Sequence, residues 1–251
     1  MLKGSAGFLT RKVTTGLMHE HDDGRFKTLV FGFAPGSTLH LPDECTHFGV
    51  VVSGSIDLAY PERVRALKEG DFFSVSRGAT IRSSSGLGMI STAVGYIGLN
   101  VFGGPLEPTG RLRYIDGCTD TLLVPPVRKG NPCLNHLHFP NRIVQTPHAH
   151  PSIRCGIVHR GRGLCIVPQQ KGPVPLVPGY AFIIETNAVH SFNTLDDTMD
   201  IVVFHPDSDA GMTDDDHPMI NRTIVEGVSA RHLESIRTRE DLEMQDKGLA
   251  R

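Results

Sequence analysis

The stretch TPHAHPSIR (Thr146–Arg154), followed by Gly161, and the stretch GYAFIIETNAVHSFN (Gly179–Asn193) decide the reading of this chain. In an extended strand, residues of equal parity share a face. His148, His150, Ser152 and Arg154 would therefore point the same way. His190 lies beyond an intervening loop and can converge on them. Three imidazoles on one rigid frame leave open positions on a bound ion for water, substrate or dioxygen, and imidazole suits iron, zinc, nickel and copper. Cys155 has the opposite parity and should face away from such a site.

Outward from these stretches, the chain reads as short strands and turns. Its 27 Gly and 17 Pro are 44 of 251 residues, against a usual share of roughly 12 %. They are scattered without a period, which favours many turns and an all-β protein. Strands are expected at Leu29–Phe33, Phe48–Val52, Ser55–Tyr60, Asp71–Val75 and Met89–Tyr96. A second set is expected at Arg142–Thr146, Cys155–His159, Gly163–Val167, Ala181–Glu185 and Met199–Phe204. The two sets repeat. GVVVSGS (Gly49–Ser55) lies over GIVHRGR (Gly156–Arg162) at an offset of 107, with Gly49, Val51 and Gly54 on Gly156, Val158 and Gly161. LKEGDFFSVSRGATI (Leu67–Ile81) lies over LVPGYAFIIETNAVH (Leu176–His190) at an offset of 109, with Gly70 on Gly179. Helical signals come only at the end, from Ser229 and again from a capping-box pattern at Thr238.

The second half resembles the cupin superfamily. That family's first motif, G-x5-H-x-H-x3/4-E-x6-G, is met by His148, His150 and Gly161, with Arg154 in the acidic position. Its second motif, G-x5-P-x-G-x2-H-x3-N, is met by Gly179 and His190. Glu185 and Asn187 stand where Pro and Gly are usual, and Asn193 comes one residue early. The first half resembles a decayed cupin. Gly36, Gly54, Gly70 and Gly78 fit, but Leu41, Asp43 and Ile81 occupy ligand places. The resemblance implies two tandem cupin (jelly-roll) barrels with a short helical tail. The expected parts are a degenerate barrel at 1–110, a metal-binding barrel at 111–225 and a tail at 226–251. It implies one divalent ion on His148, His150 and His190, with iron(II) favoured over zinc, manganese or nickel.

Chemistry follows from the missing carboxylate. Three neutral imidazoles leave a bound ion at its full charge, so an anionic substrate can supply the balance. Arg154 would hold a carboxylate through its bidentate fork, or else pair with Glu185. We expect a mononuclear non-heme iron dioxygenase acting on a small anionic substrate, similar to the three-His thiol and diketone dioxygenases. A metal-dependent isomerase, epimerase or lyase on a sugar acid or keto acid is the alternative. There the ion polarises a carbonyl, and Glu185, His138 or Tyr180 is the base. A non-catalytic binding barrel is the third reading.

Other clusters are less specific. His40 and His47 sit where the first half's motif belongs, without a partner at Ile81. His19 and His21 precede the turn dipeptide Asp23–Gly24 and read as a solvated turn. His136 and His138 read as strand surface or pocket wall, and the acidic run from His205 to His217 as a lid or interface loop. With 25 Lys and Arg against 27 Asp and Glu, the net charge is −2, too balanced to grip nucleic acid. The longest apolar runs fall far short of the roughly 20 residues that span a bilayer, so no membrane partner is expected. Arg11 and Lys12 interrupt the only apolar patch near the N-terminus, unlike a secretory leader, and a cytoplasmic protein is expected. Its five cysteines then read as free thiols. A homodimer is compatible with the barrel edges and charged tail.

Overall fold

A computed structural model describes residues 7–61, 63–214 and 217–233. Local pattern fixes the strand type. Ser55–Tyr60 alternates, burying Ile56 and Leu58 and exposing Asp57. Cys45–Ser53 is buried along eight consecutive residues. Such a run suits a central strand covered on both faces.

Each half pairs one large sheet with one small sheet. The first large sheet runs Val101–Gly103, Phe72–Ser76, Cys45–Ser53, Leu87–Val94, Lys27–Phe33, Gly16–Asp22. The second runs Phe8–Lys12, Tyr180–Ile184, Arg154–Gly161, Met199–His205, Cys133–Phe139, Thr119–Val124, Leu112–Arg113. From Phe72–Ser76 and Tyr180–Ile184 onward, the two orders match strand for strand, so the sequence repeat is a structural repeat. The small sheets are Thr38–Leu41, Ala79–Ser83, Ser55–Tyr60, Arg63–Lys68 and Val174–Leu176, Gly163–Ile166, Ser191–Asn193. The described residues are almost wholly β, arranged as two jelly-roll barrels with open sheet edges.

Three apolar clusters hold this together. Phe33, Leu58, Phe73 and Ile81 belong to the core inside the first half. Phe8, Phe139, Phe182 and Met199 belong to that inside the second. The third lies between the halves and joins Phe48, Val50 and Met89 to Cys155, Ile183 and Phe204. All five cysteines are buried free thiols.

The repeated glycines have a shared cause. Gly54 and Gly161 both sit at φ 71°, in the left-handed region that costs other residues about 1–2 kcal/mol. A Cβ on Gly54 would overlap the Ser85 carbonyl, and one on Gly161 the Thr198 carbonyl. Gly49 and Gly156 instead lie against the rings of Phe73 and Phe182, where a Cβ would strike the ring edge.

Three expectations need correction. No strand forms over 142–146. Arg142 is at φ 59° and Pro147 has no N–H for a ladder, so only isolated bridges at Val144 and His148 remain. The strand Phe8–Lys12 pairs with Tyr180–Ile184. These residues, placed by sequence in the first part, thus complete the sheet of the second. His19 and His21 lie on the strand Gly16–Asp22, not on a turn. Among the described residues, helix is confined to Pro218–Arg222 and 3-10 turns at Ile115–Gly117 and Ala230–His232; the expected helix beyond Leu233, including Thr238, falls outside the described residues.

The first half is filled where a ligand would sit. Leu39 faces Ile81 across a ladder, and both are core residues with Leu41. His47 is fully buried and satisfied, with Nδ1 2.8 Å from Thr92 Oγ1 and Nε2 3.0 Å from the Pro42 carbonyl oxygen. His40, exposed, pairs its Nδ1 with Thr80 Oγ1.

Two outcomes are expected. Gly161→Ala should lower Tm clearly more than Gly172→Ala. Gly172, at φ 86°, has open space around an added Cβ and carries only the strain of about 1–2 kcal/mol. Equal shifts would remove the steric account. The second concerns His47. Burial pushes its pKa down to about 4, against the opposing pull of the Pro42 carbonyl. The unfolded chain therefore binds a proton that the folded chain refuses. Stability is full above about pH 6.5 and falls by roughly 3 kcal/mol as the pH drops to about 4. In His47→Gln the pH slope of denaturant-measured stability in that window should flatten relative to the parent.

Candidate metal centre

His148, His150 and His190 meet inside the second half. One ligand nitrogen from each lies within 4.8 Å of the other two. The ring centroids are 4.6 Å apart for His148 and His190, 5.1 Å for His148 and His150, and 5.2 Å for His150 and His190. Backbone bonds bring them there. His148 N donates to the His190 carbonyl and His190 N to the His148 carbonyl, both at 2.9 Å, and Asn187 N donates to the His150 carbonyl at 2.7 Å. Asp116 anchors the approaching loop by accepting from Thr146 N and Thr146 Oγ1.

The tautomers fit metal ligation. His148 Nδ1 donates to the Thr146 carbonyl at 2.8 Å, and His190 Nδ1 to the Ala188 carbonyl at 2.9 Å. Each Nε2 then carries a free lone pair. His190 Nε2 is buried without a hydrogen-bond partner, an expensive state for a polar atom with no role. Burial pushes the pKa of His150 down to about 3, helped by Arg154, and that of His190 down to about 4. Both imidazoles are therefore neutral and ready to ligate near neutrality.

The histidines open on a cavity of about 90 Å³, room for a molecule of a few heavy atoms. Phe182, Ile184, Phe192, Ile201 and Val203 make its apolar wall. Arg154, the first residue of its strand, lines it and is 7 % exposed, while Ser152 is buried outside the lining. Its Nη1 donates to the carbonyls of Ser152 and Ile153 and to Ser152 Oγ. Ser152 Oγ in turn donates to Asp207, whose Oδ1 lies 3.6 Å from Arg154 Nη1. Asp207, not Glu185, is thus the acidic partner. Arg154 Nε remains buried and unpartnered.

The other proposed bases lie elsewhere. Ala181 and Ile183 face the seam between the halves, and Glu185 continues that face, reaching His21 at 3.6 Å. Tyr180 sits at the far end of its strand, beside Lys12, outside the cavity lining. His138 turns away as well. Its Nδ1 lies 3.0 Å from Asp200 Oδ1, joined there by His136 Nε2 at 2.8 Å, while Arg160 Nε bonds the second carboxylate oxygen at 3.0 Å. Burial raises the pKa of Asp200, but hydrogen bonds from His136, Arg160 and His138 outweigh it and hold the carboxyl below its usual range.

Solved structures resemble this arrangement of barrels, although no protein-family profile and no curated protein matches the chain. A cupin 2 conserved barrel domain protein from Leptotrichia buccalis is 14 % identical over 81 % of this chain and 91 % of its own, with a TM-score of 0.53. A putative glyoxylate-induced protein from Pseudomonas aeruginosa is 12 % identical over 85 % of this chain and 93 % of its own, at 0.61. A salicylate 1,2-dioxygenase from Pseudoaminobacter salicylatoxidans is 11 % identical over 72 % of this chain and 71 % of its own, at 0.52. The fold is cupin-type. At these identities the likeness concerns the fold alone.

Within the cupin pattern, the departures become intelligible. Asn187 occupies the usual Gly place and has φ 60°, a conformation Asn tolerates better than most residues. Glu185, at the usual Pro place, is directed out of the barrel. Sequence reasoning missed Tyr114, Asp120, Asn135, Gln145 and His205, all of which line the cavity. Asn135 has the opposite parity to His136 and His138, a signal masked by the more conspicuous histidines. Burial raises the pKa of Asp120, while Asn135 Nδ2 donates to its carboxylate. Burial, then the charge of Arg154, drives the pKa of His205 well down.

If these imidazoles hold an ion, His190→Ala should weaken binding by at least about 100-fold, the upper range for losing even an outer-shell partner. Zinc(II) or iron(II) titration of the folded variant reads this out; unchanged affinity would remove His190 from the ligand set.

Proposed function

We propose that the second-half cavity is the active site of a mononuclear metal-dependent enzyme, a non-heme iron(II) dioxygenase acting on a small carboxylate. The carrying observation is the ligand set itself: three converging imidazoles, those of His148 and His190 held with Nε2 free by backbone carbonyls, no carboxylate among them, and a buried Arg154 in the same cavity. Iron(II) bound there supplies the one-electron chemistry that dioxygen requires. Around it, the chain's residues bind, orient and exclude. Arg154 leans on Asp207 and Ser152 through Nη1 but keeps Nε without a partner, and no carboxylate lies among the three histidines, so an anion is the favoured guest. Its unpartnered Nε is a donor available to that anion. The small volume and apolar wall limit the substrate's size and exclude bulk water. The resemblance to a dioxygenase whose named substrate, salicylate, is a carboxylate is in keeping with this reading.

A second reading rests on Asp120. A carboxyl with a raised pKa inside the cavity is a candidate general base, which a metal-dependent isomerase or lyase needs. Tyr180, Glu185 and His138, lying outside the cavity, no longer serve that reading.

The test is metal analysis of the purified chain together with oxygen uptake over a panel of small carboxylates. Iron-dependent oxygen consumption is expected with at least one of them. Turnover that proceeds anaerobically and is lost in Asp120→Asn would favour the isomerase or lyase. Arg154→Ala should keep its metal and lose about 1.5–3 kcal/mol of substrate binding, roughly 10- to 150-fold. Arg154→Lys should recover only part, because a point charge lacks the fork. Undiminished substrate affinity in the alanine variant would make Arg154 a structural partner of Asp207.

A further inference from the structure

A second group of ligating side chains lies outside the cavity, at the seam between the halves. His19 and His21 sit on the strand Gly16–Asp22, past a register shift between Leu17 and His19. Glu185 follows the strand Tyr180–Ile184. One ligand atom from each of the three lies within 4.8 Å of the other two. The imidazole of His21 stands between two carboxylates. Its Nδ1 is 3.6 Å from Glu185 Oε2, and its Nε2 is 3.5 Å from Asp23 Oδ2. Both separations are too long for good hydrogen bonds. The Nε2 atoms of His19 and His21 are buried and have no hydrogen-bond partner. Buried imidazole nitrogens without partners, in a cluster that also holds a carboxylate, call for an electrophile.

The frame around them is already fixed. Glu185 N donates to the Gly7 carbonyl, and its own carbonyl accepts from Ala188 N. Asp23 Oδ1 accepts from Arg25 N and Phe26 N. The nearby guanidinium of Arg11 donates to the Met18 carbonyl and Thr14 Oγ1.

We infer that His19, His21 and Glu185 form a second site, for a divalent first-row ion of the zinc type. Two imidazoles and one carboxylate are a set that zinc accepts with a fourth position open to water. With His21 ligating through Nδ1, the nitrogen on the Glu185 side, its Nε2 is left turned to Asp23, a carboxylate placed to orient a ligating imidazole. Bonds of about 2.0–2.1 Å require the groups to draw together, and the Glu185 side chain, 36 % exposed, has the freedom to do so. Its exposure also gives ions a route from solvent. The bound ion would clip a strand of the first half to the segment that runs through Asn187 to His190.

Cobalt(II), followed by its visible absorption, is the probe. In the full chain carrying His148→Ala and His150→Ala, the cavity's ligand set is broken. Cobalt(II) titration of this variant should still saturate at one equivalent, and zinc(II) should displace it and raise Tm. Adding His19→Ala and His21→Ala should abolish both effects. Glu185→Gln, at a half-exposed side chain, provides a second readout if that chain loses its fold, and should weaken zinc(II) binding by about 10-fold or more. No cobalt(II) bound by the His148→Ala, His150→Ala chain would overturn the inference. So would an equivalent that survives loss of His19 and His21 or is indifferent to Glu185→Gln. A parent chain that binds one ion, lost with His19 and His21 and unaffected by His148→Ala, would support this site while refuting the cavity's metal.

Discussion

Phe48, Val50, Val52 and Met89 of one large sheet share a buried cluster with Cys155, Ile157, Ala181, Ile183, Val202 and Phe204 of the other. Side chains alternate along a strand, so committing one parity to this contact commits the other to the barrel interior. Cys155 and Ile157 face the contact, and Arg154 therefore faces the cavity. Ala181 and Ile183 face the contact, and Phe182 and Ile184 line the cavity. The same holds for Val202 and Phe204 against Ile201, Val203 and His205. A slip of one residue in Arg154–Gly161 would take Arg154 out of the cavity and bury its charge in the seam. The contact between the halves thus sets the composition of the site.

The halves then differ at one cross-strand pair. In the first, Leu39 stands opposite Ile81 and both fill the core. In the second, the corresponding pairing is His148 with His190, and a lone pair is left buried without a donor. Apolar burial stabilises the first arrangement outright. The second gives up that gain at a place where the same backbone could have held an aliphatic pair, as its twin does. The loss falls on one barrel only, which separates a scaffold from a site within a single repeated fold.

Much of this was legible because it is local. The His-x-His spacing, the repeated glycines and the apolar strands all lie within windows of a few residues, although the strand itself begins only at Arg154 and His148 makes an isolated bridge. The glycines could be matched across the halves because backbone geometry, not side-chain packing, demands them. What escaped the sequence was long-range or hidden by parity. Glu185 reads as a neighbour of the histidine motif, yet its strand turns it to the opposite side. Asp200 falls within an expected strand and carries no signal of its own, yet His136, His138 and Arg160 converge on it from two neighbouring strands. His19 and His21 read as a polar turn because the partner that gives them meaning lies more than 160 residues away.

The strand Phe8–Lys12 adds a matter of timing. It pairs with Tyr180–Ile184, and Thr10 Oγ1 donates to the Ala181 carbonyl across 171 positions. During synthesis, Phe8–Lys12 must wait until a partner 171 positions further along has been made. Contacts of such separation slow folding, and an unpaired strand is a template for wrong partners. The polar residues on Phe8–Lys12, Thr10, Arg11 and Lys12, blunt that hazard while the strand waits. The first barrel can close in the meantime, but the second cannot complete its edge until the two ends of this long span meet.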